Sequence, residues 1–381
     1  MNSVYGKLVY TGKRAEKDAY VVFDGKKIVG VSVKPRGKVL GRHAVITPAF
    51  IDAHCHIGLV RAGEPSNEGE ANDQLDMIMP VPDALDSVMM DDTSFRDAME
   101  GGVLYSCVVP GSGQIIGGRS ALIRNWARNT TEALVARAGL KGAMGYNPSR
   151  DKTKPGQRPG TRMGALSLLR RRLHDVRVKM NQLRRARGKK KDDLTFNAEE
   201  EVLRDVLTGK ERLRMHVHKI DDIAALLRLA DEFALKLTVE HTCDVHDPHI
   251  FEELKRRRVP VIYGPLDALA YKVELKHEDW RNIRHLLASG VEFGLMTDHP
   301  VILQKTLLMT LRWFLRCGMT KQDAIEIVTR RNAEVLDVGR TLGTLEKGKW
   351  ASLVCWTGDP FDLANHATCA FGEGEKLFEA D

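Results

Sequence analysis

An apolar run that ends in two histidines lies near the N-terminus of the chain: Val45-Ile46-Thr47-Pro48-Ala49-Phe50-Ile51-Asp52-Ala53-His54-Cys55-His56. A run of this kind predicts a buried strand that meets a loop at its end. Successive side chains of a strand point to opposite faces, so His54 and His56 project the same way and Cys55 projects the other way. Two imidazoles on one face can bind a single metal ion. The run therefore predicts part of a metal site.

The length and composition of the chain suit a large barrel domain with a smaller module. A barrel of about 250–300 residues fits within the 381 residues, and the 43% of hydrophobic residues supply a large core. No apolar run approaches the roughly 20 residues that cross a membrane, and the start of the chain lacks the pattern of a signal peptide. The six cysteines have no paired spacing, which predicts reduced thiols and a cytoplasmic protein.

Both ends of the sequence have the pattern of β-structure. Short apolar runs alternate with glycine and lysine turns over residues 1–47, and Asp24-Gly25 between two such runs predicts a hairpin. Residues 351–356 form a similar run near the C-terminus. Neither end is long enough to bury a core alone. We therefore predict one small, discontinuous β-sandwich domain from residues 1–48 and 343–381, with a metal-binding barrel of residues 49–342 between its two parts.

The middle of the chain alternates apolar strands with helical patterns. Such alternation with short connections predicts parallel strand pairing, and the number of units predicts an α/β fold of the (β/α)8 TIM-barrel type, in a regular or distorted form. We expect a glycine-rich loop over residues 111–118 and an eighth strand before residue 200. The predicted helices are residues 221–233, 246–258 and 278–289. The seven strands that we identify are residues 49–56, 103–109, 140–144, 213–217, 235–241, 259–263 and 291–298.

A strongly basic segment interrupts the barrel pattern around residues 165–195. Its lysines and arginines account for much of the excess of basic over acidic residues that gives the chain a formal net charge of +7. Its apolar residues recur at helical spacing. This pattern predicts an amphipathic helix that ends near Gly188. We favour a helical insertion with a solvated basic face. Binding of nucleic acid or another anion is the alternative, although no aromatic platform or known nucleic-acid motif accompanies the helix.

Further candidate metal ligands, in addition to His54 and His56, lie at the ends of other predicted strands. His216, His241 and Asp298 each lie at the C-terminal end of a separate strand. In a barrel of this type those ends form one mouth, where the catalytic groups lie. Imidazoles and carboxylates are ligands for zinc and other divalent transition metals. The sequence therefore predicts a metal site at the barrel mouth.

The order His-x-His, His, His, Asp inside a barrel flanked by β-segments resembles the amidohydrolase superfamily of metal-dependent hydrolases. The resemblance covers nearly the whole chain, and it is strongest toward the imidazolonepropionase-like branch. The stretches that carry it are Thr47-Pro48-Ala49-Phe50-Ile51-Asp52-Ala53-His54-Cys55-His56, Gly111-Ser112-Gly113 with Gly117-Gly118, Pro159-Gly160-Thr161-Arg162-Met163-Gly164, His216-Val217-His218-Lys219-Ile220-Asp221-Asp222, Thr297-Asp298-His299-Pro300 and Leu342-Gly343-Thr344-Leu345-Glu346-Lys347-Gly348-Lys349.

The resemblance implies roles for these residues. His54, His56, His216 and Asp298 would bind the metal, and His241 would bind it or lie beside the water that attacks the substrate. The ion would lower the pKa of that water and polarise the bond under attack. Asp298 would accept the proton of the water and deliver it to the leaving nitrogen. A helix N-cap is the structural alternative for Asp298.

The resemblance also bears on the number of metal ions. Many relatives bridge two ions with a carboxylated lysine or a glutamate, whereas this chain has Gly145-Tyr146-Asn147-Pro148 where the glutamate is expected. Tyrosine is a poor bridging ligand, so we predict one divalent transition metal per subunit. Zinc is the predicted ion, with iron or manganese as alternatives. Lys141, earlier on the same strand, leaves a second ion as the less favoured alternative.

The predicted substrate is a small molecule that contacts Tyr146, Asn147, Arg162 and His218. We predict hydrolysis of a C–N bond other than a peptide bond in a small cyclic amide. Deamination of a heterocycle is an alternative, although Lys219 occupies the position where deaminases of the superfamily usually have a glutamate. Lactone or phosphoester hydrolysis is another, and a nucleic-acid-binding protein is the alternative without activity. Relatives commonly form dimers, so a homodimer is possible, and we expect no membrane partner.

Overall fold

The computed structural model describes residues 1–73, 75–149, 158–187 and 194–380. Two β-sheets organise these residues, one built from both ends of the chain and one from its middle. Within the described ranges, no helix is both long and apolar enough to cross a membrane. The predicted fold class is confirmed, because a nearly closed eight-stranded barrel lies beside a β-rich domain formed by the termini.

The terminal sheet combines strands from both ends of the chain. Its strands are β1 (Asn2–Tyr10), β2 (Ala15–Asp24), β3 (Lys27–Ser32), β4 (Lys38–Pro48), β13 (Leu353–Trp356), β14 (Ala367–Gly372) and β15 (Glu375–Glu379). Their order is β15-β14-β13-β4-β1-β2-β3, with β1 parallel to β4. The ring centroids of Phe23 in β2 and Phe371 in β14 lie 5.6 Å apart, although three strands separate them in the sheet. The sheet therefore curls so that β2 and β14 pack against each other in the core of the predicted small β domain.

The predicted hairpin at Asp24-Gly25 is present and joins β2 to β3. Asp24 pairs with Lys27 across the turn, and Gly25 has a φ of 49°, which favours glycine. This hairpin fixes one edge of the terminal sheet. The domain boundaries at residues 48/49 and 342/343 stay a prediction.

The barrel follows the terminal strands along the chain. Its strands are β5 (Phe50–Cys55), β6 (Val103–Val108), β7 (Ile116–Arg124), β8 (Leu134–Ala143), β9 (Leu213–Val217), β10 (Leu237–His241), β11 (Val261–Tyr263) and β12 (Phe293–Leu295). Each strand pairs with its neighbour in the chain. The pairs β5–β6 and β8 through β12 are parallel, so their C-terminal ends meet at one mouth.

The eighth barrel strand, expected before residue 200, is β7. It runs antiparallel to both β6 and β8, so the prediction of parallel pairing throughout is wrong at this strand. Gly117 and Gly118 belong to β7 and not to the predicted loop. Gly118 has a φ of 130°, and a Cβ on it would lie 2.5 Å from the carbonyl oxygen of Pro82. Glycine is rare inside strands, which explains why sequence pattern did not reveal this one.

Asn332 holds together the first and last strands of the barrel. Its Nδ2 donates hydrogen bonds to the carbonyl oxygens of Ile51 in β5, at 2.6 Å, and of Leu295 in β12, at 2.8 Å. Its Oδ1 accepts a hydrogen bond from the N–H of Leu295 at 2.7 Å. The neighbouring Gly294 is required, because a Cβ there would lie 2.2 Å from Oδ1 of Asn332. A side-chain amide therefore closes the seam of the barrel.

Helices connect the barrel strands and follow the last of them. They are α1 (Ser94–Glu100), α2 (Thr130–Ala133), α3 (Arg162–Arg185), α4 (Ala198–Leu207), α5 (Ile220–Phe233), α6 (His249–Arg256), α7 (Ile283–Ser289), α8 (Leu307–Thr310), α9 (Arg312–Arg316), α10 (Lys321–Glu326) and α11 (Asn332–Val335). A π-helical turn, Ile327–Arg331, leads into α11 and places Asn332 at the seam.

The predicted basic helix is α3, which ends at Arg185, shortly before the predicted end. Its basic side chains form ion pairs with acidic residues of α4 and α5, so part of its charge is neutralised within the protein. The run Lys189-Lys190-Lys191 lies outside the described residues. The ion pairs are Arg170–Glu232 at 2.7 Å, Arg172–Glu199 at 2.6 Å and Lys179–Glu200 at 2.6 Å.

We expect Asn332→Ala to lower the free energy of unfolding by about 3 kcal/mol, because the buried backbone groups of Ile51 and Leu295 lose their partner. Urea denaturation measures the change. The control is Asn67→Ala, which alters an exposed asparagine and should stay within about 0.5 kcal/mol of the unchanged protein. Equal stabilities of the two variants would contradict the role of Asn332 at the seam.

Candidate active site

The predicted metal ligands lie together at the mouth of the barrel. His54 lies in β5, His216 lies in β9 and His241 ends β10, while Asp298 follows β12. The exposed fractions of the three histidines are 0%, 1% and 1%. The backbone N–H of Asp298 donates to the carbonyl oxygen of His54 at 3.1 Å, so the seam brings the first and last strands together at this end. His241 and Asp298 have φ values of 78° and 54°, which are strained conformations typical of functional sites.

The first group of possible ligands is His54, His56 and Asp298. Nε2 of His56 lies 3.1 Å from Oδ1 of Asp298, and Nε2 of His54 lies 3.4 Å from the same oxygen. The ligand atoms of all three lie within 4.8 Å of one another. Cys55 is not among them, because its buried Sγ donates to the carbonyl oxygen of Cys107 at 3.5 Å. These separations suit donors around one small cation.

The second group of possible ligands is His216, His218 and His241. The ring centroids of His216 and His241 lie 4.0 Å apart, and that of His218 lies 4.8 Å from His216 and 5.0 Å from His241. Strand β9 ends at Val217, and the next residue, His218, also lies at the mouth. The rings of His241 and His54 lie 5.0 Å apart, so the two groups adjoin.

Hydrogen bonds fix which nitrogen of His54 and His56 carries the proton. Nδ1 of His56 lies 2.8 Å from the carbonyl oxygen of Val109, and a carbonyl only accepts, so Nδ1 is the donor. Nδ1 of His54 lies 2.5 Å from Oε2 of Glu240. Because that carboxylate is ionised, His54 is also the donor there. Both Nε2 lone pairs therefore face the carboxylate of Asp298.

The centre consequently contains buried polar atoms that have no hydrogen-bond partner. Nε2 of His54, both ring nitrogens of His241 and Oδ1 of Asp298 are buried without a hydrogen-bond partner. Burial is the main cause that holds the pKa values of His216 and His241 well below the usual value, so these imidazoles are neutral. Lone pairs that face a carboxylate in a buried site are unfavourable unless a cation lies between them. The residues present therefore fit a divalent metal ion.

A buried ion pair supports His54 from behind. Nε of Arg214 donates to Oε1 of Glu240 at 2.6 Å, and both side chains are almost fully buried. A second nitrogen of Arg214 donates to the carbonyl oxygen of Ala53 at 2.7 Å. Burial alone would raise the pKa of Glu240, but Arg214 and His54 outweigh it and lower the pKa to about 2. Glu240 thus stays ionised and orients His54, as partners of metal-binding histidines do.

Arg214 and Glu240 were missed in the sequence, although a signal was present. Each is a charged residue inside a buried strand, Leu213–Val217 and Leu237–His241 respectively, and these two strands are neighbours in the barrel. Opposite charges inside neighbouring buried strands must pair, since an isolated buried charge is very costly.

Lys141 is buried behind His216. Its Nζ donates to the carbonyl oxygen of Pro110 and to Oγ of Ser112, at 3.2 Å each, and Oγ of Ser112 lies 3.0 Å from Nδ1 of His216. Burial lowers the pKa of Lys141 to about 8. The amine therefore connects to the histidine cluster through a serine hydroxyl.

Two charged residues of the loop after β11 were also missed. Oε1 of Glu274 lies 3.6 Å from Nε2 of His216, and its Oε2 accepts a hydrogen bond from the N–H of Tyr146 at 2.8 Å. Nζ of Lys272 lies 4.0 Å from Oε1 of Glu274, and Lys272 lines the same cleft as His218. No periodic pattern marks these residues, because the packing of a long loop determines their position.

The residues predicted to contact the substrate lie at different depths. Asn147 is buried, with Nδ2 3.2 Å from Nε2 of His216. Tyr146 and Arg162 line an adjoining cleft nearer the surface. Arg162 forms an ion pair with Asp222 at 2.8 Å, so its guanidinium already has a partner. Asn147 is therefore the closest of the three to the histidine cluster.

A barrel with a centre of this kind defines a class, the metal-dependent hydrolases, and comparison with known proteins identifies the family. The profile of the Amidohydrolase family matches residues 195–376. The crystal structure of an amidohydrolase from Thermotoga maritima MSB8 has a TM-score of 0.93 and 31% sequence identity, with 100% of both chains covered. The chain belongs to the amidohydrolase family.

Two further relatives differ more from the chain. Amidohydrolase tasK from Hapsidospora irregularis is 24% identical over 358 residues, which cover 88% of this chain and 36% of that protein. The chain thus spans about a third of the length of this curated relative. A prolidase complexed with N-methylphosphonate-L-proline has a TM-score of 0.63 at 14% identity, with 100% of both chains covered. That likeness is one of fold, and the imidazolonepropionase-like branch stays a prediction.

We expect Glu240→Gln to weaken metal binding about 10–100-fold, because a neutral amide no longer fixes the proton on Nδ1 of His54. Competition with a chelator at equilibrium measures the affinity of the folded variant. The matched control is Glu232→Gln, which removes a partly exposed carboxylate paired with Arg170 and should leave the affinity unchanged. Equal affinities of the two variants would show that Glu240 does not support the centre.

Proposed function

We propose that His54, His56, His216, His241 and Asp298 hold one divalent transition metal, zinc, and that the protein hydrolyses a C–N bond other than a peptide bond in a small cyclic amide. The observation that carries the proposal is that Nε2 of His54 and Nε2 of His56 both lie against Oδ1 of Asp298, and that Nε2 of His54 and this oxygen are buried without a hydrogen-bond partner. Neutral imidazoles and a carboxylate are ligands that zinc prefers. When bound, the ion would supply Lewis acidity toward the substrate carbonyl and lower the pKa of water.

Asp298 is the residue that we propose as proton acceptor and donor. Hydrogen bonding of its backbone to the carbonyl oxygen of His54 fixes the carboxylate at the mouth. Its side chain is 14% exposed, so it can reach both the ligands and the substrate. A carboxylate in this place can take a proton from water on one side and deliver it to a leaving nitrogen on the other.

We propose one metal ion and not two. Tyr146 stands where a bridging glutamate is expected, and its side chain is 38% exposed, away from a role as bridge. Nζ of Lys141 donates hydrogen bonds to the carbonyl oxygen of Pro110 and to Oγ of Ser112. These bonds support an unmodified amine on Lys141, which orients Ser112 and, through it, His216. The two groups of ligands adjoin through His54 and His241, so one ion can draw on both.

The polar groups around the mouth support a small, polar amide as substrate. Asn147 next to His216 can hydrogen-bond an amide group, and Lys272 and Glu274 add charges of both signs to the cleft wall. Side chains of this kind orient a substrate by a few well-placed hydrogen bonds. A cyclic amide that carries a polar or charged substituent can form hydrogen bonds or ion pairs with all of these groups.

Deamination of a heterocycle is the second candidate, and Glu274 is the observation that favours it. The sequence counted against deamination because Lys219 replaces the expected acid. Glu274 brings a buried carboxylate within 3.6 Å of Nε2 of His216 from a different loop. An acid in this position can protonate a ring nitrogen while water attacks the adjacent carbon.

We expect Asp298→Asn to lower kcat about 10²–10⁴-fold, because the amide can neither accept nor deliver the proton. Steady-state kinetics on the cyclic amide that reacts best measure the loss. The control is Asp91→Asn, which changes an exposed carboxylate and should leave kcat unchanged. Full activity of Asp298→Asn would overturn the proposed role of Asp298.

A substrate panel separates the candidate reactions. We expect ring opening of cyclic amides without release of ammonia, and this activity should disappear with a zinc chelator and return with added zinc. Ammonia release from heterocyclic amines would favour deamination instead. Turnover confined to Xaa-Pro dipeptides, lactones or phosphoesters would contradict the proposed bond class, while its loss on chelation would still support a metal-dependent hydrolase.

A further inference from the structure

A second group of metal-binding side chains lies in the terminal sheet, outside the barrel. His43 lies in β4, Cys355 in β13 and Cys369 in β14. These strands are adjacent, and Cys355 and Cys369 are direct partners across the antiparallel pair β13–β14. The ligand atoms of the three residues lie within 4.8 Å of one another. The hydrolytic reaction uses none of them.

The separation of the donor atoms matches a tetrahedral metal site. Nε2 of His43 lies 3.7 Å from Sγ of Cys369. With Zn–S and Zn–N bonds of about 2.3 and 2.0–2.1 Å, two ligands of one tetrahedral zinc ion lie about 3.6 Å apart. The side chains thus need little movement to bind one ion.

Thr368 fixes the tautomer of His43 that a metal needs. Its Oγ1 lies 3.2 Å from the carbonyl oxygen of Cys355. Because a carbonyl oxygen can only accept, the hydroxyl of Thr368 donates its hydrogen in this bond. Nδ1 of His43 lies 3.0 Å from the same Oγ1 and must therefore donate to it. The lone pair on Nε2 then faces Sγ of Cys369. Partners of this kind orient metal-binding histidines in known sites.

Gly41 and the burial of the three residues bear on access to the donors. A Cβ on residue 41 would lie 2.7 Å from Nε2 of His43, so a larger residue at this position would contact the nitrogen. His43 is half-buried, whereas the two cysteines are buried, and the imidazole thus leads from solvent to the sulfur atoms.

We propose that His43, Cys355 and Cys369 form a metal site for zinc, separate from the hydrolytic centre, that ties β4, β13 and β14 together. Binding forms two Zn–S bonds and one Zn–N bond, and any protons still on the two thiols are released to solvent. The three protein ligands leave one coordination position to water, on the half-buried side of His43. The donor atoms indicate which metal ion binds, because thiolates and imidazole select zinc over magnesium or calcium.

The test uses the full-length protein loaded with cobalt(II) in place of zinc. We expect a thiolate-to-cobalt charge-transfer absorption that the double variant Cys355→Ser/Cys369→Ser loses, together with one equivalent of bound metal, while hydrolysis is retained. The matched control is Cys317→Ser, which removes a half-buried thiol elsewhere and should leave the absorption unchanged. Absence of the absorption in the unchanged protein, or its persistence in the double variant, would overturn the proposal.

A second measurement applies if the double variant does not fold. Zinc should protect Cys355 and Cys369 of the unchanged, reduced protein from alkylation, and a chelator should remove the protection. Mass spectrometry of the peptides reports each cysteine separately. Equal alkylation with and without zinc would overturn the proposal, and so would a Cys355–Cys369 disulfide in the protein purified under non-reducing conditions with no zinc bound to it.

Discussion

The hydrogen-bonded series Arg214–Glu240–His54 is the interaction on which the centre depends. Two opposite charges lie in the apolar interior of the barrel, where neither could remain without the other. Their pairing joins β9 to β10, and the bond from Glu240 reaches β5 by way of His54. One ion pair thus holds three strands at fixed positions and determines which nitrogen of His54 faces the mouth. Removing either partner would leave a buried charge and free the imidazole to turn.

Closure of the barrel completes the centre. His54 lies in the first strand of the barrel, His56 follows that strand, and Asp298 lies in the loop after the last strand. Asn332 joins β5 to β12, and the bond from the N–H of Asp298 to the carbonyl oxygen of His54 joins the same two strand ends, so residues distant in sequence become neighbours. Burial lowers the pKa values of His216 and His241, so these imidazoles are neutral beside the carboxylate of Asp298. Their arrangement around that carboxylate supports the proposed binding of a divalent cation.

Sequence alone predicts the parts that depend on local periodicity. Alternation within strands placed His54 and His56 on one face, and the strand ends indicated His216, His241 and Asp298, all of which lie at one mouth. Strand β7 did not follow from the pattern, because Gly117 and Gly118 interrupt it. Glu274 and Lys272 did not follow either, since tertiary packing of a long loop carries them to the centre. The support of His54 by Glu240 is a contact between strands, which no single-strand pattern reveals.

We propose that this mouth binds zinc through His54, His56, His216, His241 and Asp298. Anomalous diffraction at the zinc absorption edge, measured from crystals of the unchanged protein grown with zinc, would locate the ion. We expect one anomalous peak at the mouth, about 2.0–2.1 Å from imidazole nitrogens and about 2.0–2.2 Å from the carboxylate of Asp298. No peak among these side chains, with the imidazoles instead hydrogen-bonded to one another or to water, would contradict it.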